Sequence, residues 1–183
     1  RMSDTVMGVM ANVFYIDQGF TKDQIAGVSK IFGLIMTLVG AGMGGLLIVR
    51  FGILPILFIG GIASAGTNLL FVMLADIGPD LQMLIFTISL DNFSSGLATS
   101  AFVAYLSSLT NLKFSATQYA LLSSIMLLLP RLIGGYSGVM VEKFGYHNFF
   151  LITCMLGVPT LLLIALHWYQ ENRRIRLNPP AED

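Results

Sequence analysis

The run from Leu81 to Leu109 reads LQMLIFTISLDNFSSGLATSAFVAYLSSL, and a single ionisable acid, Asp91, stands near its middle. At about 1.5 Å rise per residue, such a run crosses the roughly 30 Å of hydrocarbon in a bilayer. A carboxylate at mid-membrane costs about 3 kcal/mol or more to insert. A chain keeps that cost where the group faces protein or water and has a use. Asn92, Ser94, Ser95, Thr99 and Ser100 follow the acid, so polarity continues along the same helix.

The rest of the chain is built the same way. Of its 183 residues, 55% are hydrophobic and 11% charged, against about 25% charged in soluble domains. The charges gather in short gaps between long apolar runs, the layout of an all-α multi-pass membrane protein. A formal net charge of zero leaves no basic surface for nucleic acid. The one cysteine, Cys154, sits in an apolar run and has no partner for an internal disulfide. His147 and His167 are too few and too far apart for a zinc site. No nucleophile–His–acid set or metal cluster is visible, so neither an enzyme nor a cofactor is expected.

Six spans are expected. The first runs to about Gln18, the second from about Asp23 to Val49, and the third from about Ile53 to Ala75. The Asp91 run is the fourth; the fifth covers about Ala116 to Val141 and the sixth about Asn148 to Tyr169. Asp4 to Gln18 is 15 residues, about 22 Å of helix, too short to span. The first span is therefore expected to begin upstream of Arg1, in a larger protein of which this is the C-terminal part. Residues 1–169 make the membrane unit and residues 170–183 a polar cytoplasmic tail. If the first span starts in the cytoplasm, Arg1, Arg50, Lys113, Arg173, Arg174 and Arg176 lie inside, and only Lys22 and Lys143 outside. Trp168 and Tyr169 then sit at the inner interface as belt aromatics.

An internal repeat organises these spans. Phe20 to Ser29 and Phe114 to Ser123 both read F-[ST]-x-x-Q-x-A-x-x-S. Thr21 with Gln24, and Ser115 with Gln118, are capping boxes that start the second and fifth spans. The far ends match as well: Gly45-x4-Arg50-Phe51-Gly52 parallels Gly138-x4-Lys143-Phe144-Gly145. The offset is 94 residues at the starts (114 minus 20) and 93 at the ends (138 minus 45). A three-span unit thus occurs twice, and because three is odd the second copy is inverted. Two inverted three-helix repeats make one half of a major facilitator fold.

The helix-turn motif G-x-x-x-[DE]-[RK]-x-G recurs in that superfamily. Gly138 to Gly145 resembles it fully, with Glu142 and Lys143; Gly45 to Gly52 has Val49 in place of the acid. Its glycines suit close helix approach and a sharp turn, and gating is the alternative role. Gly40 with Gly44, and Gly134 with Gly138, bare one helix face each, for tight packing or for sliding contact. The ten methionines are expected as gap-fillers.

Four ionisable groups fall within spans: Asp4, Lys30, Asp91 and Arg131. Asp91 is about 16 Å from the outer end of its span and Arg131 about 15 Å, so the two share a depth. Spans three and six carry no charge and look lipid-facing, while one, two, four and five enclose something polar. Asn12 and the hydroxyls near Asp91 fit a wet cavity. On the functional reading, Asp91 or Asp4 takes up a proton, while Lys30, Arg131, Asn92 and Asn12 hold an anionic, hydroxyl-rich substrate. On the structural reading, Asp91 and Arg131 form a buried pair that fixes helix register.

Several strings resemble the AmpG-type muropeptide permeases of the major facilitator superfamily. They are Thr99 to Ala104 (TSAFVA), Phe114 to Ser123 (FSATQYALLS), Asp91-Asn92 in mid-span, Lys30 followed by Gly33, Asp4 and Arg131. The resemblance covers the chain from Arg1 to about Tyr169. It implies proton-driven import of anhydromuropeptides across a bacterial inner membrane. It also implies three partners: the lipid bilayer, an N-terminal six-helix half, and muropeptide with protons. A carrier for another anionic solute such as acetyl-CoA, and a non-transporting scaffold or sensor, are the alternatives.

Overall fold

The computed structural model describes residues 2–110 and 115–177, all of them helix or the turns between helices. The side chains of Arg1, Lys113, Arg174 and Arg176, counted above for the cytoplasmic side, lie outside the described residues. So does the cap expected from Ser115.

Among the described residues, six helical rods correspond to the six expected spans. The first is α1 (Met2–Asp17). The second joins α2 (Lys22–Val28), a π-turn (Ser29–Gly33) and α3 (Leu34–Phe51). The third is α4 (Ile53–Ile77) and the fourth α5 (Leu81–Ser108). The fifth is α6 (Ser115–Gly134) with the first turns of α7 (Ser137–Leu177). The sixth is α7 beyond Gly145, where φ 74 and ψ 167 break the helix.

Among the described residues, four helical stretches are long and apolar enough to cross a membrane: Lys22–Phe51, Ile53–Ile77, Ala116–Gly134 and Ser137–Glu171. The 16 residues of α1 fall short in length. The 28 residues of α5 suffice in length, but the polar run around Asp91 dilutes them.

Local chemistry sets the ends of the rods. The Thr21 N–H donates to Gln24 Oε1 at 3.0 Å, and the Gln24 N–H donates to Thr21 Oγ1 at 3.2 Å, the expected reciprocal cap. Asp80 accepts from the Gln82 and Met83 amides at 2.8 and 3.3 Å and starts α5. Gly52, at φ 87, turns the chain between α3 and α4 in a region that a side chain disfavours.

Three glycines bring the second and fourth rods together. A β-carbon at Gly40 would collide with the Phe93 carbonyl, one at Gly44 with the Ser100 hydroxyl, and one at Gly96 with the Thr37 carbonyl. The Gly40–Gly44 spacing therefore serves close packing. In the fifth rod only Gly134 does this, with Val9 Cγ2 at 3.2 Å; a β-carbon at Gly138 meets nothing within 4 Å.

Two apolar clusters hold the bundle. Phe14, Phe71 and Phe150 join α1, α4 and α7 at centroid distances of 4.9 Å (Phe14–Phe150) and 5.4 Å (Phe71–Phe150). Ile56, Leu57, Leu97 and Ala101 join α4 to α5.

Three expectations need correction. The third span is not simply lipid-facing: α4 turns Ile59, Ile62, Leu69 and Met73 outward but buries Ile56, Thr67, Asn68, Phe71 and Leu74. Its lack of charge hid a polar inner face. The fifth span is not continuous, because Gly135 and Tyr136 form a turn after Pro130 and the Gly134–Gly135 pair weaken the helix. The last helix runs on to Leu177, past the expected end at Tyr169.

Candidate functional site: a two-carboxylate cluster

Asp91 sits half-buried on α5 and accepts a hydrogen bond from Thr67 Oγ1 of α4 at 3.1 Å. Thr67 Oγ1 also lies 2.8 Å from the Ser64 carbonyl, one turn back on the same helix. The Ser64 hydroxyl donates to Asp4 Oδ1 on α1. A hydroxyl-bearing strip of α4 therefore links the two acids named from the sequence.

A second polar line runs beside the first. Asn68 Nδ2 donates to Ser3 Oγ, and Ser3 Oγ donates to the Thr153 carbonyl of α7 at 2.7 Å. Asn68 and Thr87 are fully buried, and their Oδ1 and Oγ1 atoms have no partner among the described residues. Each such orphan costs about 1–3 kcal/mol. Asn68 follows Thr67 on α4, and Thr87 stands one turn before Asp91 on α5.

Asp4 and Ser64 open onto a cavity of about 220 Å³ between α4, α5 and α7. Leu57, Phe102, Tyr105 and Ile164 are among the residues that line the rest of it, so the acid stands at the edge of a mostly apolar space.

The other candidates are placed differently. Lys30, in the π-turn, and Arg131, on α6, are both exposed. Among the described residues no ion pair joins either of them to Asp91, so the buried Asp91–Arg131 pair is absent. Equal depth does not bring two groups together when they point from different helix faces. Asn12 lies on the exposed stripe of α1 with Val9, Val13 and Ile16. Asn92 is engaged inside the bundle: its Nδ2 donates to the Ile88 carbonyl at 2.8 Å, and its Oδ1 accepts from Thr37 Oγ1 at 3.2 Å. It also covers Gly33, the last residue of the π-turn.

In the turn motifs, Gly52 and Gly145 adopt the positive φ that a sharp turn needs. The leading glycines do not make the close approach expected of them, since nothing lies within 4 Å of a β-carbon at Gly45 or Gly138. The Arg50 guanidinium covers the Phe51 ring at 5.5 Å, while Glu142 and Lys143 are exposed. Metal-ligand clusters are absent among the described residues.

Sequence reasoning missed Ser3, Ser64, Thr67 and Asn68. The signal was the string Ser64-Ala-Gly-x-Asn type of interruption, seen here as Ser64, Thr67 and Asn68 in an otherwise apolar run. Spacing of three and four places those residues on one helix face.

Comparison with known proteins fits this architecture. The sequence profile of the Major Facilitator Superfamily matches residues 1–183. The chain is 39% identical over 164 residues to "Putative transporter AmpG 4" of Rickettsia conorii, covering 90% of this chain and 40% of that protein. It is 35% identical over 164 residues to "Putative transporter AmpG 1" of Rickettsia felis, covering 90% of this chain and 37% of the relative. It is 32% identical over 181 residues to "Putative transporter AmpG 3" of Rickettsia prowazekii, covering 96% and 43%. The chain thus spans about two fifths of the length of these relatives. With its all-helical bundle, its apolar spans and a profile match along its whole length, the chain belongs to the Major Facilitator Superfamily.

Proposed function

We propose that this chain is the C-terminal half of a proton-coupled secondary transporter that imports anhydromuropeptides across the bacterial inner membrane. The observation that carries the proposal is the Asp91–Thr67–Ser64–Asp4 cluster: two acids within membrane spans, hydrogen-bonded to hydroxyls and not ion-paired to a cation among the described residues. Acids so placed mark proton pathways in membrane carriers. The names of the relatives support an AmpG-type carrier.

Asp91 and Asp4 take up the coupling proton. Lys30 and Arg131, exposed and unpaired with Asp91, meet substrate carboxylates, and Asn12 meets amides or sugar hydroxyls. The N-terminal half and lipid cover the remaining apolar faces, and the C-terminal tail lies in the cytoplasm.

The test is uptake of labelled anhydromuropeptide by vesicles holding the full-length protein. Asp91→Asn is expected to abolish gradient-driven accumulation. Full gradient-dependent uptake by that variant would remove Asp91 from coupling. Competition by excess acetyl-CoA, with none by muropeptide, would reassign the substrate.

A further inference from the structure

We propose that Ser64 and Thr67 are positioning residues that tie Asp4 and Asp91 into one unit sharing a single exchangeable proton. The inference rests on the two acids being the proton-coupling groups. It adds the part of the machine that α4 supplies.

The Thr67 hydroxyl has one hydrogen and two acceptors within reach, the Ser64 carbonyl at 2.8 Å and Asp91 Oδ1 at 3.1 Å. When Asp91 is ionised, the hydroxyl hydrogen turns to the carboxylate. When Asp91 is protonated, its O–H donates to Thr67 Oγ1, and the hydroxyl hydrogen turns to the Ser64 carbonyl. Ser64 has the same freedom toward Asp4: it donates to the carboxylate or accepts from the acid. The two hydroxyl residues are three apart on α4, so one helix face holds both acids in register.

The link between them passes through a carbonyl. It holds the spacing of the two acids and does not conduct the proton; the acids act on each other through their charges. Asp4 borders the cavity.

Charge favours sharing. Among the described residues, Asp4 of α1 adds a like charge to Asp91, and Tyr15, buried on the same helix, interacts with it as well. Lys30 of the π-turn, Arg50 of α3 and Arg131 of α6 are exposed and make no ion pair with it among the described residues. On α4, Asp76 is taken up with His147 of α7 at 2.9 Å. Two carboxylates so placed resist double ionisation, and one proton between them relieves the repulsion. A hydroxyl at each acid keeps whichever is ionised hydrogen-bonded.

The experiment is a pH titration of carboxylic-acid C=O bands by infrared difference spectroscopy, on the full-length protein in lipid. It reads protonation directly and does not need transport. One band is expected to vanish in Asp91→Asn. Its midpoint should move by about one pH unit in Asp4→Asn and in Thr67→Val, the scale of one lost interaction with a charged group. Ser64→Ala should move it in the same direction as Asp4→Asn, and Thr67→Ser, which keeps the hydroxyl, should restore the wild-type midpoint. An Asp91 band with the same midpoint in wild type, Asp4→Asn and Thr67→Val would overturn the coupling. Loss of muropeptide uptake without any of these shifts would support the transport reading alone; the shifts without uptake would support the coupled pair alone.

Discussion

Gly52 and Gly145, 93 residues apart (145 minus 52), hold one backbone conformation: φ 87 with ψ 170, and φ 74 with ψ 167. Each follows a basic residue and a phenylalanine, Arg50-Phe51 and Lys143-Phe144. The repeat read from the sequence is therefore also a repeat of backbone geometry. With φ positive and ψ near 180, both lie in a region that is essentially glycine-only, where a side chain is strained by about 1–3 kcal/mol. Gly52→Ala and Gly145→Ala are each expected to lower thermal stability in detergent by that amount. Unchanged melting of both variants would show that the turns relax freely.

Gly40 and Gly44 should be far less tolerant than Gly42. The first two face Phe93 and Ser100 on α5, whereas a β-carbon at Gly42 meets nothing within 4 Å. Gly40→Ala and Gly44→Ala are expected to cost about 1–3 kcal/mol through overpacking, and more if α3 must shift away. Gly42→Ala should match wild type or exceed it slightly. Comparing the three melting temperatures checks the order.

Thr21 caps the second rod through paired bonds with Gln24. Thr21→Ala should destabilise this helix start by about 1 kcal/mol. Hydrogen exchange is the sensitive measurement: the amide of Gln24 should exchange faster, while amides deep in α3 stay protected.

Asn92→Ala should loosen the junction between the π-turn and α5. It removes one of the two acceptors of Thr37 Oγ1, which keeps the Gly33 carbonyl at 2.8 Å, and it uncovers Gly33. The expected loss is about 1 kcal/mol, the usual net worth of one hydrogen bond. Asn92→Asp keeps the acceptor, so it separates the bond from the amide donor.

Lys30→Gln and Arg131→Gln should behave oppositely to the glycine variants. Both side chains are exposed, and surface changes usually stay within about 0.5 kcal/mol. Under the proposed function, each raises KM for a carboxylate-bearing substrate in vesicle uptake. Destabilisation with unchanged KM would assign the two cations to structure.

The apolar rods, their ends and their twofold repeat are legible in the order of residues. Those features are local: hydrophobic run length, the Thr21–Gln24 cap, the Arg50-Phe51-Gly52 turn and its partner at Lys143-Phe144-Gly145. The same order marks Asp91 and Asp4, because charge in a greasy run is conspicuous whatever the packing. Which groups meet is a matter of packing. Depth along a helix is countable from sequence, but rotation about its axis is set by packing against neighbours. So Arg131, expected at the depth of Asp91, is exposed and makes no ion pair with it among the described residues, while the apolar run of α4 brings Thr67 and Ser64 to the acids.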